Sequence, residues 1–188
     1  MSWIKHYWIW LLIAFLIVGA ISGWFVVAFL NKKQFVEKML PLSKSIQDNY
    51  GIQPNITISQ SALESRWGNS ELTRKANNLF SIKATDSWKA KGGLVYKIAT
   101  KEYAGTPQEK TIVAEFRSYF SWEDSVNDWA DLIASASIYK TAYYYAQQGD
   151  VANYGKAVNQ AGYSTDVNYP TKMVDFNNAV NSTEVAIG

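Results

Sequence analysis

SALESRWGNS, residues 61–70, carries a single carboxylate, Glu64, in a run of small and apolar side chains that reads as the end of a helix. The helix is expected from about Asn55, a suitable N-cap, to Trp67, with Gly68 closing it. At about 100° per residue, Ile56, Leu63 and Trp67 share one direction, while Ile58 and Ala62 form a second apolar sector. Glu64 then projects roughly 80° from the first stripe. That is neither the centre of a core nor the opposite face, but a rim, where a cleft wall would stand.

The inventory narrows the chemistry available to such a carboxylate. The chain has 188 residues, no cysteine and one histidine, His6. A Ser-His-Asp triad beyond residue 6, a Cys-His pair and a histidine-ligated catalytic zinc are excluded, and no Gly-rich phosphate loop occurs. Carboxylates, tyrosines and lysines remain as proton carriers, and paired carboxylates are the usual equipment of glycoside hydrolysis. No metal or organic cofactor is implied. Removing residues 1–30 takes only Lys5 from the 18 basic residues, leaving 17 against 16 acidic ones. Such a balance lacks the basic field that nucleic-acid binding requires.

Residues 1–6 form a short tail, and residues 7–30, YWIWLLIAFLIVGAISGWFVVAFL, contain no charge. As a helix they extend about 36 Å, enough to span a hydrocarbon core of about 30 Å. Trp3, Trp8 and Trp10 at one end and Trp24 at the other fit interfacial belts. The run exceeds the roughly 7–15 apolar residues of a cleaved signal peptide and has no clear small-residue cleavage site. It is expected to be a transmembrane signal anchor, leaving 31–188 as one domain.

Past the anchor, a helix is expected to end near Gly51. Residues 69–91 read as irregular, and a β-hairpin is expected over roughly 95–103 and 111–119, with Glu102 near its tip. Ser121 and Asp124 have capping-box spacing at the start of a helix. Further helices are expected around TAYYYAQQ up to Gly149, over 151–161, and from Pro170 to about Val180. Asp128 reads as a solvated helix charge, and Asn77 and Asn78 as backbone-binding loop residues.

Five stretches in order, ISQSALESRWGNS (58–70), NNLFSIKA (77–84), TKEY (100–103), FRSYFSWEDSV (116–126) and AGYSTDVNYPTKM (161–173), resemble the glucosaminidases of glycoside hydrolase family 73, a family of peptidoglycan hydrolases. The resemblance covers about residues 35–180. It implies a mainly α, lysozyme-like α+β domain with one small hairpin, and cleavage of the β-1,4 bond between N-acetylglucosamine and N-acetylmuramic acid. It also implies that Glu64 is the general acid, that Glu102 is the second carboxylate and that Tyr163 stands in the cleft. Asp166 and Tyr169 belong to the same motif. Phe80 and Trp67 are expected to help bury Glu64. Phe80, Trp88, Tyr119, Asp166 and Tyr169 are the candidates for substrate contact, although Trp88, Tyr119 and Tyr169 are equally readable as core aromatics, and Glu102 as an exposed hairpin charge.

Peptidoglycan strands are the implied partner, with the membrane reached through the N-terminal helix; the sequence does not identify a protein partner. The lysines flanking the apolar run do not select an orientation consistent with this function, which places 31–188 outside the cytoplasm of a bacterial cell. Alternatives of other activity remain: a lytic transglycosylase or muramidase of the same fold, or a catalytically silent wall-binding domain.

Overall fold

α1, described over 31–50, buries Phe35, Val36, Met39 and Ile46 along one face. The structure, a computed structural model, describes residues 31–102 and 110–185. The expected span over 7–30 lies outside the described residues; among those described, no helix is long and apolar enough to cross a membrane. Gly51 ends α1 with φ +72°, the left-handed conformation that a residue without Cβ adopts at least cost.

α2 (Pro54–Ser65) is the central helix. Proline at its first position starts it, and Gln53 rather than Asn55 is the cap. The Asn55 amide instead donates 2.9 Å to the Gly149 carbonyl and ties α2 to the end of a later helix. Ile56 to Ala62 are all buried, so α2 has neighbours on nearly every side rather than the two apolar sectors read from its periodicity. Its small side chains permit this close approach, and its buried Ser61 hydroxyl is satisfied by the Ile58 carbonyl.

α2 ends two residues earlier than expected. Arg66, Trp67 and Gly68 take successive φ values of 54°, 58° and 78°. This left-handed bend turns Trp67 away from Glu64, to stack on Phe176 with ring centres 5.5 Å apart and to meet Phe35 edge-on. Trp67 is therefore not the group that buries Glu64.

The stretch expected to be irregular contains two short helices, α3 (Glu71–Ala76) and α4 (Asp86–Ala90). Each is too short to show a helical period and is started by a hydroxyl cap, Ser70 and Thr85 respectively. β1 (Val95–Glu102) and β2 (Lys110–Arg117) form an antiparallel pair with Val95 opposite Arg117 and Glu102 opposite Lys110. Just past β2 the Ser118 N–H still bonds the Leu94 carbonyl opposite it, and the chain then departs as the Tyr119 N–H turns to Ala76.

α5 (Trp122–Ser135) opens on the expected capping box of Ser121 and Asp124. A 3-10 turn (Ser137–Tyr139) leads to α6 (Lys140–Gln148), α7 (Val151–Gln160) and α8 (Tyr169–Val185). α7 and α8 approach closely at Gly155, where a Cβ would stand 3.1 Å from the Pro170 Cα. That approach seats the first turn of α8, and with it Tyr169, against the core. Fully buried Trp129 stacks on Phe80 at 4.5 Å, with Tyr154, Ile56, Ile58 and Met173 completing the core.

Candidate active site

Glu64 lines a cleft of about 480 Å³ walled by Ser81, Ile82, Lys83, Leu132, Tyr139 and the 162–165 loop, including Tyr163. The last turn of α2 supplies Glu64, the loop after Asn78 supplies one wall, and the α5 end and the α7–α8 loop supply the other. Glu64 is half-buried: an edge stays open to the cleft, while most of its surroundings are protein. Burial raises its pKa from 4.5 to about 7, because the low-polarity surroundings disfavour the ionised form. Hydrogen bonds from Tyr169 and Ser81 oppose that rise without cancelling it.

The Tyr169 hydroxyl donates 2.9 Å to Glu64 Oε1. Behind it, the Gln60 amide donates 3.0 Å to the Tyr169 oxygen, and Trp129 Nε1 donates 3.1 Å to Gln60 Oε1. Tyr154 donates to the same Oε1. Burial holds the phenols of Tyr154, Tyr163 and Tyr169 well above their usual pKa, reinforced by the nearby Glu64 charge, so all three remain protonated donors.

Tyr163 lines the cleft, with its ring between Tyr139 and Tyr169 at 6.2 Å from each. Its hydroxyl donates 2.6 Å to the Phe80 carbonyl, so it braces the opposite wall. Phe80 itself is fully buried against Trp129, and its ring offers no surface to a ligand. Tyr169 is 4 % exposed and acts through its hydroxyl rather than as a stacking platform. Tyr119 is likewise buried and donates 2.7 Å to Asp128.

Asp128, read from sequence as a solvated charge, instead holds Arg117 through both carboxylate oxygens at 2.7 Å. Trp88 is half-buried beneath the Arg117 guanidinium, 4.6 Å from its ring centre. It borders a second depression of about 240 Å³ next to the cleft, with Leu132 common to both. Asp166 accepts from the Asn168 N–H and pairs with Lys172, securing the loop that carries Tyr163 rather than lining the cleft. Glu102 ends β1, and its side chain lies outside the described residues.

Two contributors, Ser81 and Gln60, escaped the sequence reading, whereas Asn78 binds backbone in its loop as expected. Ser81 adopts φ 56°, a costly conformation for a residue with Cβ, and borders Glu64. Asn78 holds that loop: its amide nitrogen donates to the Ile82 and Arg117 carbonyls, and its oxygen accepts from the Phe80 and Ile82 N–H groups. Gln60 had one visible signal, its position one turn before Glu64 on the same helix face.

A mainly helical domain with a two-stranded hairpin thus sets a half-buried, proton-holding carboxyl in an open cleft, an arrangement suited to general acid catalysis. Residues 40–182 match the family described as Glucosaminidase, mannosyl-glycoprotein endo-beta-N-acetylglucosaminidase, and the chain belongs to that family. It is 32% identical over 157 residues to the peptidoglycan hydrolase FlgJ of Vibrio parahaemolyticus, covering 82% of this chain and 49% of the relative. It is 33% identical over 145 residues to the exo-glucosaminidase LytG of Bacillus subtilis, covering 76% and 49%. The chain thus spans about half the length of these curated relatives. The crystal structure of a peptidoglycan hydrolase from Sphingomonas sp. A1 superposes with a TM-score of 0.69 at 28% identity, over 83% of this chain and 95% of that one.

Proposed function

We propose that the protein is a membrane-anchored peptidoglycan hydrolase, an endo-β-N-acetylglucosaminidase cleaving the β-1,4 bond from N-acetylglucosamine to N-acetylmuramic acid. One observation carries this reading: within a chain of the glucosaminidase family, burial leaves the Glu64 carboxyl with a pKa of about 7 at the wall of an open cleft. A carboxyl in that range is substantially protonated at neutral pH and strong enough to give up its proton, the balance general acid catalysis needs.

Glu64 gives its proton to the glycosidic oxygen as the bond from that oxygen to the sugar's anomeric carbon breaks. The bonding electrons leave with the oxygen, and the sugar develops oxocarbenium character. The resulting Glu64 carboxylate is stabilised by the Tyr169 hydroxyl. Glu102 serves as the second carboxylate, activating water or stabilising the cation, and Tyr163 keeps the cleft walls at fixed separation. Glu64→Gln tests the assignment: release of soluble fragments from purified peptidoglycan should fall at least about 10²-fold. Undiminished release by a folded variant would remove Glu64 from the acid's role.

Residues 7–30 serve as a single-pass anchor holding 31–188 on the extracytoplasmic side. Their uncharged length supports this, and α1 beginning by residue 31 leaves no long spacer, so the domain would meet the glycan strands nearest the membrane. Fractionation tests the anchor: the full chain should resist alkaline extraction and dissolve in detergent. Release by alkali alone would count against it.

A further inference from the structure

Gln60 is a wholly buried polar side chain in the middle of the central helix. An apolar residue there would suit the core, and burying an amide costs free energy unless its groups are bonded. The partners of Gln60 are not interchangeable. The indole N–H of Trp129 can only donate, so the atom facing it at 3.1 Å must be the amide oxygen. Tyr154 donates to the same oxygen. The amide nitrogen is thereby turned towards Tyr169, 3.0 Å away, where it can only donate. With its oxygen already accepting from Gln60, the Tyr169 hydroxyl directs its one proton to Glu64 Oε1 at 2.9 Å. Flipping the Gln60 amide would set two N–H groups against each other at Trp129 and would draw the Tyr169 proton away from Glu64.

We infer that Gln60 is a positioning residue: by fixing the direction of the Tyr169 hydroxyl, it reserves Oε2 of Glu64 for the transferable proton. The inference rests on Glu64 as general acid. Oε1 is kept as an acceptor in both protonation states, so the acid proton resides on Oε2. When Oε2 passes its proton to the glycosidic oxygen, the donor at Oε1 is already in place for the carboxylate, and no hydroxyl has to rotate during the reaction. Without Gln60, Tyr169 is free to turn and accept from a protonated Glu64, so the proton can reside unproductively on Oε1. The same freedom stabilises the protonated form and raises the pH at which Glu64 ionises.

The full chain and its Gln60→Met and Gln60→Glu variants are compared on purified peptidoglycan across the pH range, with the Glu64 carboxyl titrated by 13C NMR in parallel. Gln60→Met should lower kcat about tenfold, with KM nearly unchanged. Its loss of activity at high pH, and the NMR midpoint, should move up by about one pH unit. That combination separates a positioning role from a merely structural one, which would lower activity without moving the limb. In Gln60→Glu, a neutral carboxyl can accept from Trp129 and Tyr154 and still donate to Tyr169. Its activity relative to the parent should rise as pH falls and drop as the new carboxyl ionises. A folded Gln60→Met with an unmoved limb and midpoint overturns the inference. Should that variant not fold, a Gln60→Glu activity ratio that is constant with pH overturns it. A parent chain that releases no sugar would sink the Glu64 reading instead, while the NMR midpoint would still decide the role of Gln60.

Discussion

Replacing Glu64 with glutamine should make the domain more stable, and only at neutral and alkaline pH. In the folded chain the Glu64 pKa rises from 4.5 to about 7 because burial disfavours its charge. The folded state therefore holds this proton more tightly than the unfolded state does. The associated stability is fully present below about pH 4.5 and is lost as pH rises through 7. At about 1.4 kcal/mol per pH unit, the interval corresponds to as much as roughly 3 kcal/mol. The carboxyl keeps an edge open to solvent, which lowers the expectation to about 1–3 kcal/mol. The glutamine amide does not titrate, and its oxygen can still accept from Tyr169. Residues 31–188 contain every described element of the fold, and their urea unfolding can be followed through tryptophan fluorescence. The variant's advantage over the parent should grow by about 1–3 kcal/mol between pH 4.5 and 8.5, or about 2–4 °C in Tm per kcal/mol for a domain of this size. A stability difference that stays constant across that range would mean that Glu64 ionises as an ordinary exposed carboxylate, and the acid role would lose its physical basis.

Asp128→Ala removes both oxygens that hold Arg117 and the acceptor of Tyr119, and should cost about 2–4 kcal/mol in chemical denaturation, leaving a guanidinium with little access to water. Ser81→Gly relieves the positive φ but deletes a hydroxyl that favours the Glu64 carboxylate, so the high-pH limit of activity should move upward without loss of Tm. Asn78→Ala takes a partner from the Arg117 carbonyl and from the Phe80 and Ile82 N–H groups of the cleft wall, while the Ile82 carbonyl keeps the Arg117 N–H, and should cost about 2–3 kcal/mol by urea unfolding, with kcat falling as Ser81 and Ile82 shift. Gly155→Ala sets a methyl 3.1 Å from the Pro170 Cα and should destabilise by about 1–3 kcal/mol in thermal unfolding, because the crowded partner is backbone.

Helix order and hairpin placement were legible because the longer elements carry their own local signals. Ser121 and Asp124 cap α5, Gly149 closes α6 and Pro170 stands in the first turn of α8. The shorter helices α3 and α4 depend on single hydroxyl caps and tertiary bonding, and five or six residues are too few to show a period. The end of α2 was misplaced because no local rule makes Arg66 and Trp67 left-handed; the aromatic cluster of Trp67 with Phe35 and Phe176 accompanies that bend. At the site, Glu64 and Tyr163 were legible as cleft residues. Phe80, Tyr119 and Asp128 were not, since an aromatic ring reads alike as a platform or as core, and a charge reads as solvated until its partner comes from another element. Arg117 lies eleven residues from Asp128 and Tyr169 lies 105 from Glu64, so both pairs exist only in the folded chain.

The sugar ends that the protein leaves on peptidoglycan test the account most directly. Mass spectrometry of fragments released from purified peptidoglycan, with Glu64→Gln alongside, should show reducing N-acetylglucosamine ends on multi-sugar fragments, absent in the variant. Single sugars removed from chain ends would mark an exo-acting enzyme. Reducing muramic acid ends, anhydro ends, or no new ends with glycan still bound would contradict the proposed reaction.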